Sequence, residues 1–264
     1  MLVDTHAHIH FEEFENDLEE IFSACKNNKV ESIITVGTDE VDSKRALEFV
    51  WNEQVIGQSN GIGLYATAGL HPHEAGKGED ALLSIEELVK DGGYGKKLVA
   101  IGECGLDYYR NNSEKKDQYK ALEFQLELAI GQGLPVVFHV RDAWEDFFGV
   151  VNNYPGLRGV IHSFTGGTKE VELVNEYNLY FGLNGIMTFT KEQKQLEAAK
   201  LIAADKLLLE TDCPFLSPNP VRGKRNEPAN VKYVADFLAK LRGVSLYDFS
   251  NQTTLNAKTL FGIE

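Results

Sequence analysis

His6 and His8 stand two residues apart in Asp4-Thr5-His6-Ala7-His8, and far downstream single ionisable residues each close a short apolar run. Glu103 follows Val99-Ala100-Ile101-Gly102, His139 follows Pro135-Val136-Val137-Phe138, His162 follows Val160-Ile161, and Asp212 ends Leu207-Leu208-Leu209-Glu210-Thr211-Asp212. On an extended strand the period of two aims both imidazoles of His6-x-His8 to one side, so one cation takes two nitrogens without unusual backbone geometry. Histidines satisfied inside a core would rarely fall repeatedly at the boundary where an apolar run turns polar. The six residues His6, His8, Glu103, His139, His162 and Asp212 therefore read as a metal centre assembled from strand ends, and a metal-dependent hydrolase is the expectation. A carboxylate placed like Glu103 can bridge two divalent ions and lower their mutual repulsion. Asp4 shares the parity of His6 and His8, which places it to orient a ligand or to pack below the site.

Glu210 and Asp212 are two acids at the end of a very apolar strand, on the same side by strand parity. Burying both without a cation or a base would be costly. Asp212 is expected to be a metal ligand and the proton acceptor for water, with Glu210 supporting it; the two roles are interchangeable at this level. Substrate contacts are expected from His71, which ends an apolar run in Gly69-Leu70-His71-Pro72-His73, and from Arg141. The run Arg222-Gly223-Lys224-Arg225-Asn226-Glu227 precedes Pro228 and a helical segment, where free backbone N–H groups and basic side chains can hold an anion. His10 is read as a loop residue.

The elements that must position these groups alternate along nearly the whole chain. Apolar, β-branched segments at Leu2 to His6, Ser32 to Val36, Leu64 to Ala68, Leu98 to Gly102, Pro135 to His139, Arg158 to His162, Leu179 to Leu183 and Lys206 to Thr211 are separated by segments of helical period. The latter include Phe11 to Cys25, Asp39 to Gln54, Ser84 to Val89 and Asp117 to Ile130, with two closing helices from Asn226 to about Leu241 and from Leu246 to Phe261. Eight strands covered by helices predict an α/β TIM-type (β/α)8 barrel of one domain spanning residues 1–264, with its site at the C-terminal ends of the strands. Neither a Gly-x-Gly-x-x-Gly fingerprint after the first strand nor a Walker loop is present.

At 264 residues the chain can bury one sizeable core. Its 26 basic and 40 acidic side chains leave a formal charge of −14, which argues against coating nucleic acid through a broad basic surface. Phosphate chemistry at a local site is compatible, because bound divalent cations reverse the sign where the substrate docks. Cys25, Cys104 and Cys213 form no CxxC pattern and are expected to pack in the core. The start of the chain lacks the pattern of a signal peptide and no run approaches a membrane span, so a cytoplasmic compartment is expected; separately, the chain is expected to be a monomer.

At this point the motifs become specific. Asp4-Thr5-His6-Ala7-His8, Gly102-Glu103-Cys104-Gly105-Leu106-Asp107-Tyr108, Pro135-Val136-Val137-Phe138-His139-Val140-Arg141, His162-Ser163-Phe164-Thr165-Gly166 and Leu209-Glu210-Thr211-Asp212-Cys213-Pro214-Phe215-Leu216 resemble the successive motifs of the TatD family of metal-dependent deoxyribonucleases, relatives of the amidohydrolase barrels. Arg222-Gly223-Lys224-Arg225-Asn226-Glu227-Pro228 is similar to that family's late loop, and Ile9-His10 stands where Leu-Asp or Leu-Asn is common. The resemblance implies two divalent ions, Mg, Mn or Zn, one held by His6, His8, Glu103 and Asp212 and the other by Glu103, His139 and His162. It implies hydrolysis of DNA phosphodiesters from a 3′ end, single strands being preferred, with no membrane partner. The same ligand set also suits a lactonase or amidohydrolase acting on a small ester or amide, and a non-catalytic metal-bearing protein is the alternative of another class.

Overall fold

The computed structural model describes residues 1–263. Eight strands, β1 (Leu2–Ala7), β2 (Val30–Val36), β3 (Gly63–Ala68), β4 (Leu98–Asp107), β5 (Val136–Arg141), β6 (Gly159–Ile161), β7 (Leu179–Leu183) and β8 (Leu207–Leu209), pair in chain order, every pair parallel. The seam between β8 and β1 is closed by a parallel bridge between Ala7 and Cys213 and by Thr5 Oγ1 donating to Leu209 O at 3.0 Å. The result is a nearly closed barrel.

Alternation along the strands explains its two cores. Leu2, Ile33, Val136, Ile161, Phe181 and Leu207 point outward and pack under the helices, while their neighbours Val3, Ile34, Val137, Val160, Tyr180 and Leu208 fill the barrel interior. A parallel strand buried on both faces must be apolar on both, which is why these runs are continuous rather than alternating.

The helices are α1 (Leu18–Asn27), α2 (Glu40–Asn52), α3 (Gln54–Ser59), α4 (Glu79–Lys90), α5 (Lys115–Gln132), α6 (Trp144–Val151), α7 (Thr168–Val174), α8 (Gln193–Leu201), α9 (Val231–Arg242) and α10 (Leu246–Phe261). Local chemistry sets their ends: Asp39 accepts from Asp42 N to start α2, Ser245 accepts from Asp248 N to start α10, and Gly133 in the left-handed region stops α5. Helix α10 has a second task. Its Ala257, Leu260 and Phe261, with Ile263, join the interior cluster at the end of the barrel where the strands begin.

Several boundaries differ from those read in the sequence. The first helix starts at Leu18 rather than Phe11, after a short 3-10 turn at Glu12–Phe14; the Asp39 to Gln54 segment divides into α2 and α3; and α9 starts at Val231, behind a 3-10 turn at Pro228–Asn230. Strand β4 runs on through Glu103 to Asp107, with a register shift between Ile101 and Cys104. Strand β8 is shorter, so Glu210, Thr211 and Asp212 lie beyond its ladder, and Asp212 takes φ +58°. The three thiols are buried, and no helix among the described residues is long and apolar enough to cross a membrane.

Candidate metal centre

The carboxyl ends of β1, β4, β5, β6 and β8 bring the six expected ligands to one place. His6 Nε2 lies 3.4 Å from Glu103 Oε2 and 3.8 Å from Asp212 Oδ1, and His8 Nε2 lies 3.4 Å from the same Asp212 oxygen. His8 Nδ1, 2.8 Å from Val36 O, donates to that carbonyl, which leaves the Nε2 lone pair facing the cleft. Both ring nitrogens of His6 are buried without a hydrogen-bond partner. An orphaned polar atom of this kind costs about 1–3 kcal/mol, so a nitrogen aimed between two carboxylates fits a cation.

Around the other Glu103 oxygen stands a second set. Glu103 Oε1 is 2.9 Å from His139 Nδ1 and 3.8 Å from His162 Nε2. The remaining nitrogen of each ring faces a carboxylate: His139 Nε2 hydrogen-bonds Asp107 Oδ2 at 3.0 Å, and His162 Nδ1 lies 3.0 Å from Glu210 Oε1 as a charge contact without hydrogen-bond geometry. A carboxylate behind a ligating imidazole fixes its orientation and raises its basicity. Burial alone would push the Glu103 carboxyl up, but the imidazoles of His162, His71 and His6 outweigh it and hold the group well below the usual carboxylate range. Asp212 is lowered in the same way, burial being outweighed by His8, His162 and His6. Both acids therefore stand ready as anions. Three-residue sets converge as His6, His8 and Glu103; His6, His162 and Asp212; and Glu103, His139 and His162. Imidazole and carboxylate donors suit divalent ions, and the residues fit a pair of them that shares Glu103.

A family profile described as TatD related DNase matches residues 3–262. The chain belongs to that family. It is 40% identical over 266 residues to an uncharacterized metal-dependent hydrolase of Bacillus subtilis, each chain being covered in full. It is 32% identical to the 3′-5′ ssDNA/RNA exonuclease TatD of Escherichia coli K12, with 95% of each chain covered. A crystal structure of a TatD homologue from Escherichia coli superposes with a TM-score of 0.90 at 28% identity, covering 100% of this chain and 98% of the other. This TatD-family chain is a metal-dependent hydrolase on an α/β barrel.

Next to the six candidate ligands of this TatD-family chain stand two further acids, Glu210 and Asp4. Glu210 Oε1 accepts from Ser163 N at 2.8 Å and Asn184 Nδ2 at 3.2 Å besides facing His162, so its contacts orient the ligand ring. Gly182 makes room for it, since a Cβ there would stand 2.2 Å from Glu210 Oε2. Asp4 does not stand beside the histidine rings. A register shift between Asp4 and Ala7 interrupts strand parity, and the Asp4 carboxylate instead accepts from Thr211 N at 2.9 Å and Thr211 Oγ1 at 2.6 Å, pinning the segment that carries Asp212.

His71 is buried at the edge of the site, Nε2 3.5 Å from Glu103 Oε1. Its Nδ1 accepts from His73 N at 3.1 Å, so the Nε2 carries the proton and points inward. Burial, opposed by Glu103, lowers its pKa to about 4 and keeps it neutral.

Two residues of this shell escaped the sequence reading. Asp107 Oδ2 faces both His139 Nε2 and His73 Nε2, at 3.0 and 2.8 Å, while Oδ1 accepts from Tyr109 N and Arg110 N. Strand alternation Glu103, Gly105, Asp107 was the available signal, hidden because the apolar run stops at Gly102. His10 is more than a loop residue: it is buried between Thr35 Oγ1 at 2.6 Å and Asp42 Oδ1 at 2.9 Å.

The expected anion contacts disperse. The Arg141 guanidinium lies 3.9 Å from the centre of the Tyr109 ring, at the end of β5. Arg222 stacks on Phe189 and donates to Ser217 O, and Arg225 pairs with Asp17 and the Glu13 carbonyl. Asn226 is buried, its amide donating to Thr211 O and Phe215 O, so it braces the loop behind Asp212. Lys224 is exposed. The thiols of Cys104 and Cys213, beside two ligands in sequence, are pushed up by burial and stay neutral.

Proposed function

We propose that this TatD-family hydrolase cleaves DNA phosphodiester bonds, working from the 3′ end of single strands with two divalent ions drawn from Mg, Mn and Zn. The observation that carries the proposal is Glu103 standing between two sets of imidazole nitrogens, with one carboxylate oxygen for each. Relatives named as 3′-5′ ssDNA/RNA exonucleases support the substrate class. His6, His8, Glu103 and Asp212 would hold one ion, and Glu103, His139 and His162 the other.

Held by these residues, divalent ions would supply Lewis acidity toward water and the phosphate. The chain's own groups do the rest. Asp212, kept anionic by its histidines, accepts the proton of the attacking water. His71, its Nε2 3.5 Å from Glu103 Oε1, presents a neutral Nε2–H donor for a phosphate oxygen. Asp107 and Glu210 keep the rings of His139 and His162 in the orientation that turns a lone pair inward. Arg141 and Lys224 supply the phosphate contacts at the rim.

Turnover of a 3′-ended single-stranded oligonucleotide by protein reconstituted with each of Mg, Mn and Zn tests the proposal. Stepwise release of nucleotides from the 3′ end is expected. Absence of cleavage with all three ions would overturn it, and rapid hydrolysis of small esters without DNA cleavage would replace it with a lactonase or amidohydrolase function. Faster cleavage of closed circles than of ends would replace the exonuclease with an endonuclease.

A further inference from the structure

We propose that a cleft beside the ligands of the second ion is a subsite for one unpaired nucleoside flanking the scissile phosphate; this rests on the phosphodiesterase function proposed above. The cleft has a volume of about 440 Å³ and is walled by Tyr109, Arg141, Trp144, Thr165, Lys194 and Gln195. Its position follows from the fold. Tyr109 lies two residues past Asp107, Arg141 two past His139 and Thr165 three past His162, so the loops that hold the second set of ligands also build the walls. On β5, Arg141 shares the face of His139 by strand alternation. The cleft's walls therefore come in part from the segments that follow His139 and His162, and none comes from the segment that carries His6 and His8.

Its chemistry selects the occupant. Arg141 and Lys194 bring two positive charges, and Asp142 and Glu170, also in the lining, bring two negative ones. A trap for phosphate alone would carry an excess of positive charge, as nucleic-acid backbone sites do. What this cleft offers instead is an aromatic ring and a set of hydrogen-bonding groups of both kinds. Tyr109 is 59% exposed, and the guanidinium groups of Arg141 and Arg110 lie 3.9 and 5.8 Å from its ring centre. A flat, rigid aromatic platform of this kind stacks an unpaired base, and the sequence-tolerant stacking is worth roughly tenfold or more in affinity per base. The opposite wall is held in place: Trp144 packs edge-on against Phe164 with centroids 5.7 Å apart, and Gln195 Nε2 donates to Thr165 O at 3.3 Å.

Size is compatible with this occupant, because about 440 Å³ falls in the range of a pocket for one small molecule such as a nucleoside. A base that stacks on Tyr109 has to leave its own duplex stack first. The subsite thus supplies a physical basis for preferring single strands: the base must be released before its phosphate reaches the ions.

Three substrates of the wild-type protein and two variants test this. The substrates are a single-stranded oligonucleotide, intact or with base-less tetrahydrofuran units at its last two 3′ positions, and bis(4-nitrophenyl) phosphate, which carries the reacting diester but no nucleoside. The stripped strand should lose roughly tenfold in kcat/KM relative to the intact strand. In Tyr109→Leu the ratio of intact-strand to small-diester kcat/KM should fall by a similar factor, and Tyr109→Phe, which keeps the ring, should retain the wild-type ratio. Quenching of 2-aminopurine placed at either terminal position should report stacking in the wild-type protein and be lost in Tyr109→Leu. Equal cleavage of intact and stripped strands, or an unchanged ratio in Tyr109→Leu, would overturn the subsite while leaving the phosphodiesterase standing. No hydrolysis of either substrate by the wild-type protein with Mg, Mn or Zn would overturn both.

Discussion

The proposed mechanism gives Asp212 the proton of the attacking water, and its carboxylate lies within 4 Å of both His6 and His8. Asp212→Asn keeps the volume but removes the basic oxygen, so kcat should fall by roughly 100-fold to 10,000-fold, the range of a lost general base. Metal content measured on the same sample separates a lost base from a lost ligand, and equal rates would refute the role. Asp107 acts one step further out. Asp107→Asn weakens the acceptor behind His139 Nε2, and a titration of Mn or Zn should show affinity for one of two ions reduced by about 10-fold to 100-fold while the other is kept. If both ions bind as in the wild type, Asp107 is only a structural acceptor for Tyr109 N and Arg110 N.

Among the elements, β4 carries the greatest demand, because it must pass Glu103, Gly105 and Asp107 close against β5. Gly105 takes φ +151°, and a Cβ there would stand 1.9 Å from His139 O. Gly105→Ala therefore forces apart the two strands that hold Glu103 and His139. A cost of about 3 kcal/mol or more is expected from strain and backbone displacement together, read as a lower denaturant midpoint at unchanged slope. An unchanged midpoint would mean that β4 and β5 separate at no cost.

At the scale of the whole molecule, ions that bind only the folded chain stabilise it by mass action. With free ion at about 100 times its Kd, each contributes about 2.7 kcal/mol, so EDTA should lower Tm by roughly 5–10 °C per ion, measured by calorimetry. A Tm indifferent to EDTA and to added ion would argue that the convergent histidines hold no metal in the folded state. The net charge of −14 gives the surface little attraction for a polyanion, so each local cation counts. Lys224→Ala should reduce the slope of log binding constant against log salt by about 0.7 for a single-stranded oligonucleotide. Arg225→Ala should instead shift stability by no more than about 1 kcal/mol, since its ion pair with Asp17 is partly exposed. A reduced slope in Arg225→Ala would return that guanidinium to the substrate.

Much of the centre was legible in the sequence, for a local reason. A candidate ligand at a strand end announces itself by ending an apolar run, as His139 and His162 do, and strand parity places His139 and Arg141 on one face without knowledge of any neighbour. The eight-strand barrel follows from the same alternation, because parallel strands buried on both faces must read as continuous apolar runs. Only tertiary structure decided the partners. Asp4 and Thr211 meet across the seam of the barrel, Asp17 reaches Arg225, and Asp107 joins His139 through the neighbouring strand, pairings separated by 207, 208 and 32 residues. Local pattern records which face a side chain takes and whether it is buried. Which atom it meets is set by strand register and by shifts such as that between Asp4 and Ala7, and those arise from the packing of the closed barrel.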